Sequence, residues 1–495
     1  MSIEDTTKSS ARPSLWRNWI SLIGMVIVIG SLFSFFLLFV LDTVAHFSNP
    51  YIGILTYIIA PGFLIFGLLL TLLGLLRERH KRGGLGGLVP RVQVDLSRPR
   101  DRRVMGAFIA GTLFFLFLSA VGSYNTYHFS ESVQFCGQTC HTVMKPELVT
   151  YEHGPHARVA CVQCHIGPGA EWFVKAKISG TYQVYATMFD KYPRPITTPI
   201  KNLRPAQETC EQCHWPKNFV GNLDRTFTYF RSDASNSPYS IRLLIYVGGG
   251  DPTHGKVGGI HWHMTVGAHV EYYASDHARQ TIPWVRVTDE QGVVTVFHTS
   301  DFTNTPSQSE IRTMDCMDCH NRPAHRYQSP DSAVNLALSL GATNLNGIDA
   351  TIPWIKTNAV FVLTRNYTND MEATNGIATL LADRYPDDPR IRHAIPVVQK
   401  IYTDNFFPDM KAKWSDYPDN VGHMIWTGCF RCHDGNHKTN DGKQTIKAND
   451  CNTCHTILAQ GSGKDLLELS PGGQEFKHPG GDYDHECNMC HDGTL

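Results

Sequence analysis

Cys161-Val162-Gln163-Cys164-His165 is the stretch on which the reading of this chain turns. Two cysteines with two residues between them and a histidine directly behind the second form the attachment signature of c-type haem. The thiols make thioethers with the vinyl groups, and the adjacent imidazole reaches the iron from one face. The pattern recurs as Cys210, Cys213, His214; Cys316, Cys319, His320; Cys429, Cys432, His433; Cys451, Cys454, His455; and Cys487, Cys490, His491. A variant with three residues between its cysteines, Cys136, Cys140, His141, opens the series, so all 14 cysteines of the 495-residue chain are used. Zinc has no reason to demand a histidine after every pair, and a disulfide framework has none either. Seven covalently bound c-type haems are expected.

The composition agrees. With 44 basic and 45 acidic side chains and only 18% charged residues, the chain has no bulk positive charge for binding nucleic acid. Its 24 histidines far exceed what seven motifs need, and the surplus points to irons closed on both faces by imidazole, suited to passing electrons.

Outward from the motifs, the N-terminal quarter is apolar. Spans are expected over about 18–41, 51–76 and 104–123, each about the length that crosses a bilayer core. Nine Lys and Arg residues lie between Arg77 and Arg103, whereas the loop Asp42 to Pro50 has none. The positive-inside rule therefore places the basic loop in the cytoplasm with the N-terminus, which carries Lys8, Arg12 and Arg17. Three spans then put the motif-bearing remainder outside, where c-type haem is attached: a multi-pass protein of the bacterial inner membrane with a periplasmic haem domain.

The expected fold is mainly α with little regular structure: a membrane domain (1–123), a four-haem domain (124–330), a helical linker (331–402) and a C-terminal three-haem domain (403–495). Within the second, residues 221–310 hold no cysteine and read as a small β insertion, with strands near 239–247, 282–287 and 293–298 around the turn Asp289 to Gly292. In the last unit His423, His437 and His478 are the local ligand candidates, with His485 ranked behind them.

Phe135-Cys136, Cys140-His141 and Met144, then Pro155-His156 ahead of Cys161, then Cys316 to His320 with His325 five residues on, resemble the NapC/NirT/NrfH family of membrane-bound quinol dehydrogenases over about 105–330. In its three helices and seven motifs the chain is similar to the ImcH-type inner-membrane cytochromes. The resemblance implies menaquinol oxidation at the membrane surface and electron export into the periplasm. It implies His156 as a ligand of the fourth haem and His325 as a ligand of the second, with Met144 or His141 on the first. The third haem's partner is expected from the insertion, where His261 and His263 cluster. If that stretch were extended, alternate residues would face opposite sides, so the two could not share an iron.

Past the second motif, Trp172, Ile178, Tyr182, Tyr185, Met188 and Phe189 read as an aromatic interfacial helix. The family places a lysine at the quinol site in this region. Lys175 and Lys177 are the candidates, with Asp190 or Glu171 as the acid for proton transfer where Gln183 stands in the family's acidic position. Expected partners are membrane lipid, the quinone pool and a periplasmic c-type cytochrome or terminal reductase; homo-oligomerisation stays open, and no nucleic acid is expected. Two other classes compete: a multihaem reductase of a nitrogen or sulfur oxyanion, which needs an open iron, and a relay subunit without its own quinol site.

Overall fold

The computed structural model describes residues 18–45, 55–81, 97–139, 141–167, 170–200, 204–219, 221–248, 258–264, 269–446, 451–481 and 486–494. Lys8, Arg12, Arg17, Arg82, Arg91, Cys140, His485, the first inter-helix loop from residue 46 and the start of the second span at 51–54 lie outside them. Two compact units emerge, Met1–Thr139 and Cys140–Leu495.

The first unit holds three apolar helices long enough to cross a membrane, α1 (Trp19–Ala45), α2 (Ala60–Lys81) and α3 (Pro99–Ser130). Small residues let α1 and α2 approach closely, the usual solution where lipid removes the hydrophobic drive between helices. A Cβ on Gly24 would stand 2.7 Å from the Gly67 carbonyl oxygen, and one on Gly67 would meet the Gly24 carbonyl oxygen at 2.9 Å. Ser21 Oγ donates to the Thr71 carbonyl at 3.1 Å, and Ser31 Oγ donates to that of Ala60, which fixes the two helices antiparallel.

Helix α3 outruns its sequence expectation. Its 32 residues span roughly 48 Å at about 1.5 Å each, more than the ~30 Å hydrocarbon core. Two residues later Ser132 caps α4 (Val133–Gln138), its Oγ accepting from the Phe135 N–H at 3.0 Å, and Phe135 packs edge-on against Phe129 at 5.7 Å. Cys136 of the first motif is therefore held at the end of a membrane helix.

The second unit begins with α5 (His141–Glu152), α6 (Cys161–His165), α7 (Ala170–Met188) and α8 (Ala206–Cys210). Strands β1 (Leu223–Phe230), β2 (Pro238–Ile245), β3 (His269–Tyr273), β4 (Trp284–Thr288), β5 (Val294–His298) and β6 (Arg312–Thr313) follow, and the fourth motif forms α9 (Cys316–Cys319). The β insertion is real, with Asp289 Oδ1 accepting from the Gln291 and Val293 N–H groups at 2.9 and 2.8 Å in the expected turn.

It is not self-contained, however. One sheet has the order β5-β4-β3-β6; the other is β1-β2-β9, and β9 (His455–Gly461) starts on the sixth motif's histidine. β9 pairs antiparallel with β2, Ile245 opposite His455. The C-terminal haem-motif region is thus stitched into the insertion by backbone hydrogen bonds.

The segment expected as a linker is the best-packed part of the unit. Helices α10 (Pro330–Leu340), α11 (Ile355–Leu363), α12 (Asp370–Arg384) and α13 (Ile391–Asn405) enclose fully buried Val334, Ile355, Leu363, Ile377, Leu381 and Val398. On α13, Ile391, Ala394, Val397, Val398 and Tyr402 recur at helical spacing along the buried stripe. A two-stranded ribbon, β7 (Phe406–Phe407) with β8 (Ala412–Lys413), closes this core.

Candidate functional site

Among the described residues, six pairs of histidine rings face one another, and each pair contains one motif histidine. His165 stands 6.2 Å from His325, His214 6.0 Å from His156, and His320 6.4 Å from His261, centroid to centroid. His433 stands 5.9 Å from His263, His455 6.3 Å from His423, and His491 5.9 Å from His478. A metal with an imidazole nitrogen about 2.0–2.1 Å away on either side sets ring centroids roughly 6 Å apart, so the residues fit a haem iron held between each pair.

The atoms behind the rings agree. His156 Nδ1–H donates to the Pro323 carbonyl at 2.9 Å, His325 Nδ1–H to that of Glu147 at 2.9 Å, His261 Nδ1–H to that of Val247 at 3.1 Å and His263 Nδ1–H to that of Ile260 at 2.8 Å. A carbonyl on Nδ1 fixes the tautomer and leaves the Nε2 lone pair for a metal. His423 Nδ1 and His455 Nδ1 are buried without a hydrogen-bond partner among the described residues. His478 has the opposite polarity, its Nδ1 accepting from the Gly480 N–H at 3.1 Å, so ring separation alone sets the seventh pair. Burial lowers the pKa of His263, His320 and His455, and the facing ring lowers each further, which keeps the imidazoles neutral as ligands must be.

Two expectations exchange places. His156 faces the third motif's His214 rather than the fourth motif's His320. Its Nδ1 is tied to Pro323, just behind the fourth motif, so the opposite edge of the ring is turned away from that motif. The fourth motif's facing ring is His261, from the insertion expected to serve the third. Nor is Ile260–Met264 a strand: it is a 3-10 turn in which His261 and His263 diverge to different motifs.

His437 joins no pair among the described residues. It is 1% exposed, with Nδ1 2.8 Å from Asp434 Oδ1 and Nε2 2.7 Å from the Ile282 carbonyl, so both ring nitrogens are consumed by protein groups. Met144 sits half-buried one turn along α5 from His141, whose side chain is outside the described residues.

Sequence reasoning missed the groups that join motifs. Asp318, within the fourth, is 2% exposed and accepts from Arg279 Nη1 at 2.8 Å. Arg431, within the fifth, donates through Nη2 to the Asp318 carbonyl at 2.7 Å and through Nη1 to the Arg279 carbonyl at 2.8 Å. Nothing in the local pattern marks either residue, because variable positions inside a motif carry no spacing signal.

Helix α7 bears the second expected site. Val174, Ile178, Tyr182 and Tyr185 fall on one face, Phe189 follows the helix with its ring 4.9 Å from that of Tyr185, and Ile178 and Tyr182 are 69% and 64% exposed. At 3.6 residues per turn Lys175 and Lys177 flank opposite edges of this apolar stripe. Lys175 Nζ lies 4.7 Å over the Trp172 ring. Asp190 is engaged by Arg194 Nη2 at 2.6 Å, and the Glu171 side chain lies outside the described residues.

Comparison with known proteins follows the same lines. The NapC/NirT cytochrome c family, N-terminal region, matches residues 98–201. The cytochrome c-type protein ImcH of Geobacter sulfurreducens (strain ATCC 51573 / DSM 12127 / PCA) is 40% identical over an alignment covering 96% of this chain and 95% of that protein. No solved structure matches. A family of covalent-haem electron carriers thus accounts for both the apolar helices and the facing imidazoles: the chain is a membrane cytochrome of the NapC/NirT cytochrome c family with an ImcH-like layout.

Proposed function

We propose that this protein is a seven-haem quinol dehydrogenase of the bacterial inner membrane, taking electrons from menaquinol and passing them to a periplasmic c-type cytochrome or terminal reductase. The observation that carries the reading is the set of six facing histidine pairs, one for each motif from the second to the seventh. In it the fourteen motif cysteines would hold the porphyrins, and His325, His156, His261, His263, His423 and His478, each with the motif histidine it faces, would hold the second to seventh irons. Bound c-type haem supplies a one-electron Fe(III)/Fe(II) carrier at each position. Imidazole on both faces leaves a small oxyanion no place to bind, which favours electron transfer over substrate reduction.

The first haem is the entry point, with Cys136 on α4 directly behind membrane helix α3 and with Met144 or His141 as its axial group. A quinol gives up two electrons and two protons. The exposed stripe of α7 lies in the membrane interface and admits the ring, while Lys175 or Lys177 hydrogen-bonds its hydroxyl and takes up a proton. The basic residues flanking α2 and α3 favour a cytoplasmic side for that end and a periplasmic side for the haem domain.

The test is anaerobic reduction of the purified protein by a menaquinol analogue, followed by visible haem spectroscopy and pyridine haemochrome counting. Rapid reduction of a protein with seven haems is expected. Reduction by dithionite but not by the quinol would leave the chain a relay, and fewer than six haems per matured polypeptide would overturn the count.

A further inference from the structure

One short turn touches two motifs that lie far apart in sequence. Ile260–Met264 is anchored on the end of β2, the Ile260 N–H donating to the Tyr246 carbonyl at 2.8 Å and the His261 N–H to that of Val247 at 3.1 Å. The chain reaches it through a backbone-to-backbone crossing that only glycine permits. Gly248 has φ +53° and a Cβ there would meet the Gly258 carbonyl oxygen at 1.9 Å. From this anchored turn His261 faces His320 of the fourth motif, and His263 faces His433 of the fifth. Between them Trp262 packs against the cluster of Val270, Tyr272, Ile282 and Val285, together with Cys432 of the fifth motif.

A second connection joins the same two motifs without using the turn. Arg431 of the fifth is buried and donates to the carbonyls of Asp318 in the fourth and of Arg279. Asn420 Nδ2 donates to the same Asp318 carbonyl at 3.0 Å.

We infer that the His261-Trp262-His263 turn is a coordination bridge: His261 is the distal ligand of the fourth haem and His263 that of the fifth, so one rigid turn locks the four-haem part to the three-haem part. This rests on the seven-haem reading above and deepens it. Electrons leaving the NapC/NirT-like part cross here. One electron moves from ferrous to ferric iron, with no ligand or proton transferred, between two sites whose spacing the Arg431 bonds also hold. A hinge between the two parts would let that spacing vary; shared ligation removes the hinge.

The geometry gives the two ligands separable signatures. The planes of His261 and His320 are 10° apart and those of His263 and His433 are 85° apart. Near-parallel imidazoles on low-spin ferric iron give a rhombic electron paramagnetic resonance spectrum, and near-perpendicular ones give a single feature at large g.

The experiment uses the oxidised full-length protein in detergent, with His261→Gly, His263→Gly and the double variant. Each single variant is expected to convert one low-spin haem to high-spin, a rhombic component for His261 and a large-g component for His263. The double variant converts two, and added imidazole restores the low-spin signals. His261→Met and His263→Met, which keep an axial donor for maturation, are each expected to raise the midpoint potential of one haem. The proposal is overturned if either glycine variant with full haem content keeps every low-spin signal, if the double variant loses no more than a single one, or if neither Met variant moves a potential. None of these readings uses quinol, so failure of quinol oxidation is scored separately, and a low haem count in the unaltered protein would strike the parent reading instead.

Discussion

Glu147 holds His325 twice: its carbonyl accepts from Nδ1–H at 2.9 Å, and its carboxylate oxygen lies 3.2 Å from the same nitrogen. Glu147 belongs to α5, the helix that starts on the first motif's histidine, so the first motif positions the ring facing the second motif's His165. A carboxylate behind an imidazole raises its basicity and favours ferric iron. Glu147→Gln is expected to keep that haem low-spin while raising its potential by on the order of tens of millivolts, measured by spectroelectrochemical titration. His325→Ala should instead yield one high-spin haem.

The opposite outcome is expected at His437, whose two ring nitrogens are committed to Asp434 and Ile282. His437→Ala leaves every low-spin haem signal in place. It takes one of several donors from the half-buried Asp434 carboxylate and the imidazole donor from the buried Ile282 carbonyl, at a cost of about 1–3 kcal/mol in denaturant unfolding. A high-spin haem in this variant would return His437 to the list of ligands.

In the helical core, Lys356 Nζ lies 2.8 Å from Asp331 Oδ1, both side chains 6% exposed, and also donates to the Phe230 carbonyl. Removing one partner strands the other charge. Lys356→Met should cost roughly 3–5 kcal/mol, whereas Lys356→Met combined with Asp331→Leu should recover most of that loss, because apolar replacement of a whole buried pair is often neutral. Thermal melts of the three proteins decide it.

Between the membrane helices, Gly24→Leu should drive α1 from α2, since the first added carbon already meets the Gly67 carbonyl and Thr71. A loss of about 1–3 kcal/mol, the scale of overpacking, is expected in detergent stability. Gly30→Leu, where a Cβ meets nothing within 4 Å among the described residues, should be nearly silent.

On α7, Ile178→Glu together with Tyr182→Glu places charge in the middle of the exposed apolar stripe. Quinol-driven haem reduction is expected to fall by at least about tenfold while reduction by dithionite and the haem spectrum stay unchanged. The Lys175→Ala and Lys177→Ala single variants, measured in the same assay, identify which edge of the stripe carries the proton acceptor.

Much was legible before any coordinate. Haem attachment is a local chemical pattern: Cys161, Cys164 and His165 fall within five consecutive residues and need no tertiary context. The spans are equally local, because a run of apolar residues as long as the bilayer core is thick has one stable environment. Strands β2, β4 and β5 were legible as runs of strand-forming residues, two of them around a turn; β1 and β3 were not, since a mostly exposed strand such as Leu223–Phe230 is defined largely by the neighbour it pairs with.

Which second histidine faces which motif could not be read this way. His156 lies beside the fourth motif's backbone yet faces the third motif's histidine, because the Pro323 carbonyl claims its Nδ1 and so sets the direction of the ring. His261 and His263 diverge because their turn is 3-10 and pinned to β2, a geometry that depends on glycines crossing backbone to backbone. Sequence by itself determined the seven motifs, the three apolar helices long enough to cross a membrane and one histidine of each pair, since motif spacing and hydropathy act over a few residues. Tertiary structure alone decided the second histidine, the pairing of β9 with β2 and the contact of Arg431 with Asp318, because ring direction and hydrogen-bond partners are fixed by segments that meet only when the chain has folded.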